Sequence, residues 1–268
     1  MRVDEHTIYL DESPVFYRAA TAAPGAPPLY LHGIPTSSDD WVEFLARTGG
    51  IAPDLIGFGR SGKGGHLDYS LAGLTQFLER FLVEIQVETV KLVAHDWGAV
   101  LALMLAERHP HRVEKLVLFN APPVFAERFN WPRPIRLWRT QLVGEGLMGS
   151  TNRWLLARTL RQGSVREDAW PDARVAAVWD QFDQGTQRAI LRLVRDAAAR
   201  RPAPEPTAPE VPALIIWGDR DPWYPPPLAD TYAARLPRAK IERLPDAGHW
   251  PWLDRPDLVD QVADFLVQ

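Results

Sequence analysis

Three short segments hold the residue types that nucleophilic catalysis requires. In residues 91–100 (KLVAHDWGAV) an apolar run leads into the pattern small–x–Asp–x–small and straight on into a helical period. A strand that turns into a helix without a loop packs closely at the flanking positions, so Ala94 and Gly98 are small and Asp96 stands exposed at the turn. An Asp that merely capped the helix would need neither the small neighbours nor the directly abutting strand. Residues 216–222 (IWGDRDP) place Asp221 in a loop after another apolar run, and residues 246–250 (DAGHW) place His249 near the end of the chain. Asp96, Asp221 and His249 thus read as nucleophile, acid and base. Asp219 and Asp246 are competing acids whose positions also suit turns.

A fourth segment, Leu31-His32-Gly33-Ile34-Pro35, follows the run 28–31 with a glycine-containing turn. Such a turn can aim a backbone N–H at the Asp96 turn, and with the N–H of Trp97 it would form an oxyanion hole. His32 itself suits a structural role. By contrast, Gly57-Phe58-Gly59-Arg60-Ser61-Gly62 matches GxGxxG but is followed by a polar, glycine-rich stretch. It lacks the helix whose N-terminus would hold a pyrophosphate, so it reads as a loop and not as a dinucleotide site.

Elements of two kinds must position these groups. Runs at 7–10, 15–18, 28–31, 89–94, 113–120, 213–217 and 240–244 read as strands, and several are apolar enough for a parallel sheet covered on both faces. Helical periods lie at 70–85, 99–108, 227–236 and 256–267; in the first, Leu71, Leu74, Phe77, Leu78, Phe81 and Leu82 share one stripe. Between 122 and 210 the pattern turns helical and rich in Arg and Trp, without a convincing strand. It ends in five prolines between 202 and 212, which read as a stiff return linker. The fold class is therefore α/β, with a mostly parallel central sheet flanked by helices. Residues 1–121 and 211–268 form the core domain, and residues 122–210 a helical cap or lid.

At 268 residues, 46% hydrophobic and 24% charged, the chain suits one large core with an insertion. Its 30 basic and 34 acidic residues leave a net charge of −4, which supplies no footprint for nucleic acid or an anionic membrane. No cysteine is present, so disulfides, thiolate metal ligands and thiol nucleophiles are excluded. Asp4 and Glu5 interrupt the place of a secretory signal, and no apolar run approaches a membrane span, so a cytoplasmic protein is expected.

The segments LHGIPTSS, IAPDLIGFGRSGK with the nearby LDY, VAHDWGA and DAGHWPWL together resemble the α/β-hydrolase superfamily, particularly haloalkane dehalogenases and their epoxide hydrolase relatives. The resemblance implies the α/β-hydrolase fold over 1–121 and 211–268, Asp96 as nucleophile, His249 as base, Asp221 as acid, and the N–H groups of Ile34 and Trp97 as oxyanion hole. It also implies that the Trp97 indole holds a departing halide. Many dehalogenases carry a polar residue, commonly Asn, where this chain has Ile34; a subgroup uses a lid tryptophan, for which Trp131, Trp138, Trp154, Trp170 and Trp179 are candidates. Another subgroup takes its acid after the strand that here ends at Asn120.

A carboxylate attacking sp³ carbon gives an ordinary ester that water can then cleave, so the expected substrate is a small apolar alkyl electrophile. The expected reaction is hydrolysis of a haloalkane to an alcohol and halide, without metal or organic cofactor. Epoxide hydrolysis is the alternative. In that family lid tyrosines protonate the epoxide oxygen, and all six tyrosines here lie outside 122–210, which favours a halide leaving group. A small-molecule binding or sensor protein without turnover is the alternative of another class. No nucleic acid or membrane partner is expected, and the chain is taken as a monomer or homodimer.

Overall fold

The apolar runs become strands in a computed structural model that describes residues 1–125, 131–199 and 209–268. The strands are β1 (Asp4–Leu10), β2 (Ser13–Ala20), β3 (Pro28–Leu31), β4 (Gly50–Pro53), β5 (Val90–His95), β6 (Val113–Phe119), β7 (Ala213–Gly218) and β8 (Ala239–Leu244). Among the described residues they form one sheet in the order β1-β2-β4-β3-β5-β6-β7-β8. β2 pairs antiparallel with β1 and with β4, and the remaining pairs are parallel. Leu31 lies beside Ala94, Ala94 beside Leu118 and Phe119 beside Ile216, so four parallel strands end at a common level. The loops leaving β3, β5 and β7, with the loop after the neighbouring parallel strand β8, carry Ile34, Asp96, Trp97, Asp221 and His249, as the geometry of open parallel sheets favours.

The helices in chain order are α1 (Val42–Thr48), α2 (Leu71–Glu84), α3 (Trp97–Arg108), α4 (Arg133–Trp138), α5 (Val143–Gly149), α6 (Arg153–Gln162), α7 (Asp172–Gln181), α8 (Gln184–Ala199), α9 (Leu228–Ala233), α10 (Pro251–Asp254) and α11 (Leu258–Val267). α4 to α8 follow one another between β6 and β7. α2 buries the whole stripe read from its sequence, and Ser70 caps it by accepting from the Gly73 N–H at 3.0 Å. Every residue of β7 is buried, as is every residue of β5 except Lys91, because helices cover both faces.

Three elements escape the sequence patterns. β4 (GIAP) is too short and too rich in Gly and Pro to read as a strand, yet it joins β2 to β3. α1 and α10 are short helices that pattern reading passes over. The GxGxxG segment is a loop, with Gly57 and Gly59 at φ +90° and +54°. Buried Asp54 holds it by accepting from the N–H groups of Ser38 and Arg60 at 2.8 and 2.7 Å. The proline-rich return over 201–212 falls for the most part outside the described residues. No helix among the described residues is long and apolar enough to cross a membrane.

Candidate active site

Asp96 occupies the junction of β5 and α3 at φ +52°, ψ −124°, a conformation that L-residues rarely adopt and that is retained where function demands it. Its side chain makes no capping bond to α3, which sets it apart from an ordinary N-cap. The flanking packing explains the small neighbours: a Cβ at Gly98 would collide with the carbonyl oxygens of Leu31 and His32, and one at Gly33 would strike the Asp96 side chain. Glycine at 98 therefore lets α3 press against the end of β3, which brings the β3 loop to the carboxylate. The Ile34 N–H donates to Asp96 Oδ2 at 2.9 Å, the adjoining Trp97 N–H helps to hold the carboxyl pKa down, and Oδ1 has no partner.

His249 comes from the loop after β8. Its Nδ1 lies 2.7 Å from Asp221 Oδ2, and since the carboxylate only accepts, the ring proton belongs on Nδ1 and Nε2 is left as the basic nitrogen. Asp221 is itself immobilised: Oδ1 accepts from the N–H groups of Trp223 and Tyr224 at 2.8 and 3.1 Å, and Oδ2 accepts from Asn120 Nδ2 at 2.8 Å. The competing acids lie elsewhere. Asp246 pairs with Arg255, and Asp219 Oδ1 has no hydrogen-bond partner. His32 is structural in its bonding, with Nε2 accepting the Leu55 N–H at 2.9 Å and Nδ1 facing Gly33 O.

Electrostatics follow from burial. Asp96 is 1% exposed, and loss of hydration pushes its carboxyl up to about 6, against the lowering pull of His249 and the two N–H groups. For His249 burial opposes the charge, but Asp221, Asp96 and Asp40 together outweigh it, so its pKa stands above the ordinary value. The Tyr224 phenol is raised well above its usual range by burial and by the negative charges of Asp96 and Asp221, and so stays protonated.

Asp96, His249 and Tyr224 line one cavity of about 360 Å³, whose other walls are mainly apolar side chains such as Ile135, Trp138, Met148, Leu156 and Phe182. Most of those walls come from α4 to α8. That segment also fastens the His249 loop: the His249 N–H donates to Gly163 O, and Asp254 accepts from the N–H groups of Val165, Arg166 and Gly248, each at 2.8 Å. A larger cleft of about 620 Å³ between β8 and α11 brings no nucleophile and base together.

The five tryptophan candidates separate. Trp154 is 68% exposed, Trp170 donates its N–H to Ser164 Oγ, and Trp179 packs on Phe182. Trp138 lines the cavity, and Trp131 stacks on Trp97 with the rings 6.2 Å apart and 7° from parallel. The Trp97 indole N–H is buried without a partner. Sequence reading missed Asn120, whose Oδ1 also accepts the Gly218 N–H at 2.8 Å, and Asp254. It missed Tyr224 as well: the absence of tyrosine from 122–210 does not empty the cavity of phenols, because the loop after β7 supplies one.

The description of the alpha/beta hydrolase fold matches residues 29–256. A haloalkane dehalogenase from Mesorhizobium japonicum is 29% identical over 96% of this chain and 89% of its own. Epoxide hydrolase 2 of Caenorhabditis elegans is 27% identical over 94% of this chain and 74% of its own. The crystal structure of a point mutant of an epoxide hydrolase from Bacillus megaterium superposes with a TM-score of 0.83 at 25% identity, covering 98% of this chain and 100% of that one.

Folding raises the Asp96 pKa, so the cost of keeping the carboxylate ionised is absent below its unfolded value of about 4 and complete above its folded value of about 6. Asp96→Asn should therefore stabilise the chain at pH 8, by up to about 3 kcal/mol for a two-unit shift, and the gain should vanish by about pH 4. Urea unfolding at the two pH values measures it; an Asn variant less stable at pH 8 would show that the ionised carboxylate is well satisfied.

Proposed function

This chain belongs to the alpha/beta hydrolase fold family and is a hydrolase of the branch that holds haloalkane dehalogenases and epoxide hydrolases, and we propose that it cleaves a small haloalkane through a covalent ester on Asp96. The observation that carries this reading is a carboxylate, not a hydroxyl, held by the Ile34 N–H in an apolar cavity beside a histidine oriented by a second carboxylate.

In the first step Asp96 attacks the alkyl carbon in line, forming the C–O bond as the carbon–halogen bond breaks, and the halide leaves with the bonding pair. The unpartnered Trp97 indole N–H is the donor for that anion, with Trp131 or Trp138 as the second. In the second step His249 takes a proton from water, the hydroxide adds to the Asp96 carboxyl carbon, the N–H groups of Ile34 and Trp97 stabilise the oxyanion, and its collapse breaks the bond to the alkoxide oxygen, which takes the proton back from His249 and departs as the alcohol. Esterification also prepares the base. It removes the Asp96 charge that helps to raise the His249 pKa, so His249 loses its proton more readily when a base is needed. The helical segment 122–210 acts as the lid that keeps this chemistry apolar.

One observation favours a second reading. Tyr224 stands in the cavity beside Asp96 with its proton retained, where it could protonate an epoxide oxygen as Asp96 opens the ring. Ring opening would give a hydroxyalkyl ester on Asp96, and its hydrolysis a diol.

Two measurements separate these steps. His249→Ala should stop after alkylation, and intact-protein mass spectrometry should show the alkyl adduct on Asp96 after exposure to a haloalkane that the wild type turns over; an unmodified variant would contradict Asp96 as nucleophile. Tyr224→Phe should leave halide release within a few-fold of wild type, and should slow any diol formation by about 10² or more if the phenol is the acid. Unchanged diol formation in that variant would remove the second reading.

A further inference from the structure

Around the cavity mouth the surface has an unusual composition. Residues 131–165 hold six arginines and a single acid, Glu145. Glu145 is paired with Arg195, and Arg161 with Asp172, whereas Arg133, Arg136, Arg139, Arg153 and Arg158 have no carboxylate partner among the described residues. Interleaved with them are apolar side chains standing in water. Leu142 is 85% and Trp154 68% exposed, and Leu137, Val143, Leu147 and Leu155 lie between 37% and 45%. Leu142 sits at φ +66°, a left-handed backbone unfavourable for leucine, which holds an apolar side chain outward instead of burying it. Leu137, Leu147 and Leu155 also line the cavity, so the patch surrounds its entrance.

Charge is distributed to match. Residues 122–210 hold 14 basic and 10 acidic residues, while the rest of the chain holds 16 basic and 24 acidic, so the net charge of −4 conceals a positive lid on a negative core. The sequence expectation of no membrane partner rested on that net value and on the lack of an apolar run long enough to span a membrane, and neither bears on a surface patch.

We propose that this face docks on an anionic phospholipid surface, with the unpaired arginines at the phosphate level, Leu142 and Trp154 in the acyl boundary, and the cavity mouth turned to the lipid. Mixed basic and apolar side chains are what such a boundary selects, since each class of group finds its own layer. Nucleic acid would satisfy the arginines but leave Leu142 and Trp154 in water, and a second copy would bring two arginine faces together. The docked face draws lipophilic substrate from the bilayer without a passage through water. The proposal stands on the surface and does not depend on which bond Asp96 cleaves.

Vesicle co-sedimentation of the full chain tests it. The protein should pellet with vesicles of phosphatidylcholine containing about 30% phosphatidylglycerol, should not pellet with phosphatidylcholine alone, and should bind more weakly at about 0.5 M salt as screening predicts. The triple variant Arg136→Glu, Arg153→Glu, Arg158→Glu should lose at least about a hundredfold in partitioning, near fivefold per arginine. Trp154→Phe should lose a blue shift in fluorescence that the wild type shows on binding. Unchanged melting temperatures establish that these variants fold. Equal binding to both vesicle types, no binding to either, or a triple variant that binds as wild type would overturn the proposal. So would light scattering that shows a dimer abolished by Leu142→Ser, together with no vesicle binding, because the patch would then join two copies.

Discussion

An aspartate side chain 1% exposed, in a cavity walled mainly by hydrocarbon, is the constraint on which the rest of this structure depends. Water would solvate that carboxylate far better than the cavity does, and burial raises its pKa to about 6 in consequence. The surrounding elements limit this cost without abolishing it. Glycines at 33 and 98 let the β3 loop and α3 close on the side chain, two N–H groups face one oxygen pair, and a histidine with raised pKa supplies positive charge nearby. Oδ1 is left without a partner, and in the proposed mechanism it is the oxygen that meets the carbon electrophile. A nucleophile that is poorly solvated but still ionised near neutral pH is a stronger one than the same group in water.

The base and the roof of the cavity are coupled through the backbone. Asp254 binds two N–H groups of the 122–210 segment with one oxygen and the Gly248 N–H with the other, and Gly163 O accepts from His249 itself. Any displacement of the segment that walls the cavity therefore displaces the histidine. Under the proposed mechanism, substrate shape, read by the apolar walls, and proton transfer by His249 would therefore not be independent. On the acid side, Asn120 and the N–H groups of Trp223 and Tyr224 take up the Asp221 lone pairs that His249 does not use.

How far this could be read from sequence depended on how local each signal was. The turn at Asp96 was legible because its causes are adjacent: small residues at 94 and 98, a strand before and a helix after. The carboxylate that pairs with His249 was legible through chain order and through the apolar strand ending at Gly218. Asn120 and Asp254 were not, since each acts on residues brought near only by the sheet, about a hundred positions apart for Asn120 and Asp221. Tyr224 was counted in the sequence but placed by its distance from 122–210, whereas the loop after β7 also reaches the cavity that α4 to α8 mostly wall. β4 failed on local propensity, which tertiary pairing with β2 and β3 overrode. The net charge of −4 was true of the chain and uninformative about its surface, because the opposite excesses of residues 122–210 and of the rest of the chain cancel.

The path of the oxygen atom tests the covalent role of Asp96 most directly. A single turnover with enzyme in excess, in water enriched in ¹⁸O, should yield alcohol that carries ordinary oxygen, with the heavy isotope found in the peptide that contains Asp96, because water attacks the carboxyl carbon and the alcohol leaves with an oxygen from the side chain. Heavy oxygen in the first-turnover alcohol, with Asp96 unlabelled, would mean that His249 directs water straight at the substrate and that the buried carboxylate never forms a bond to it.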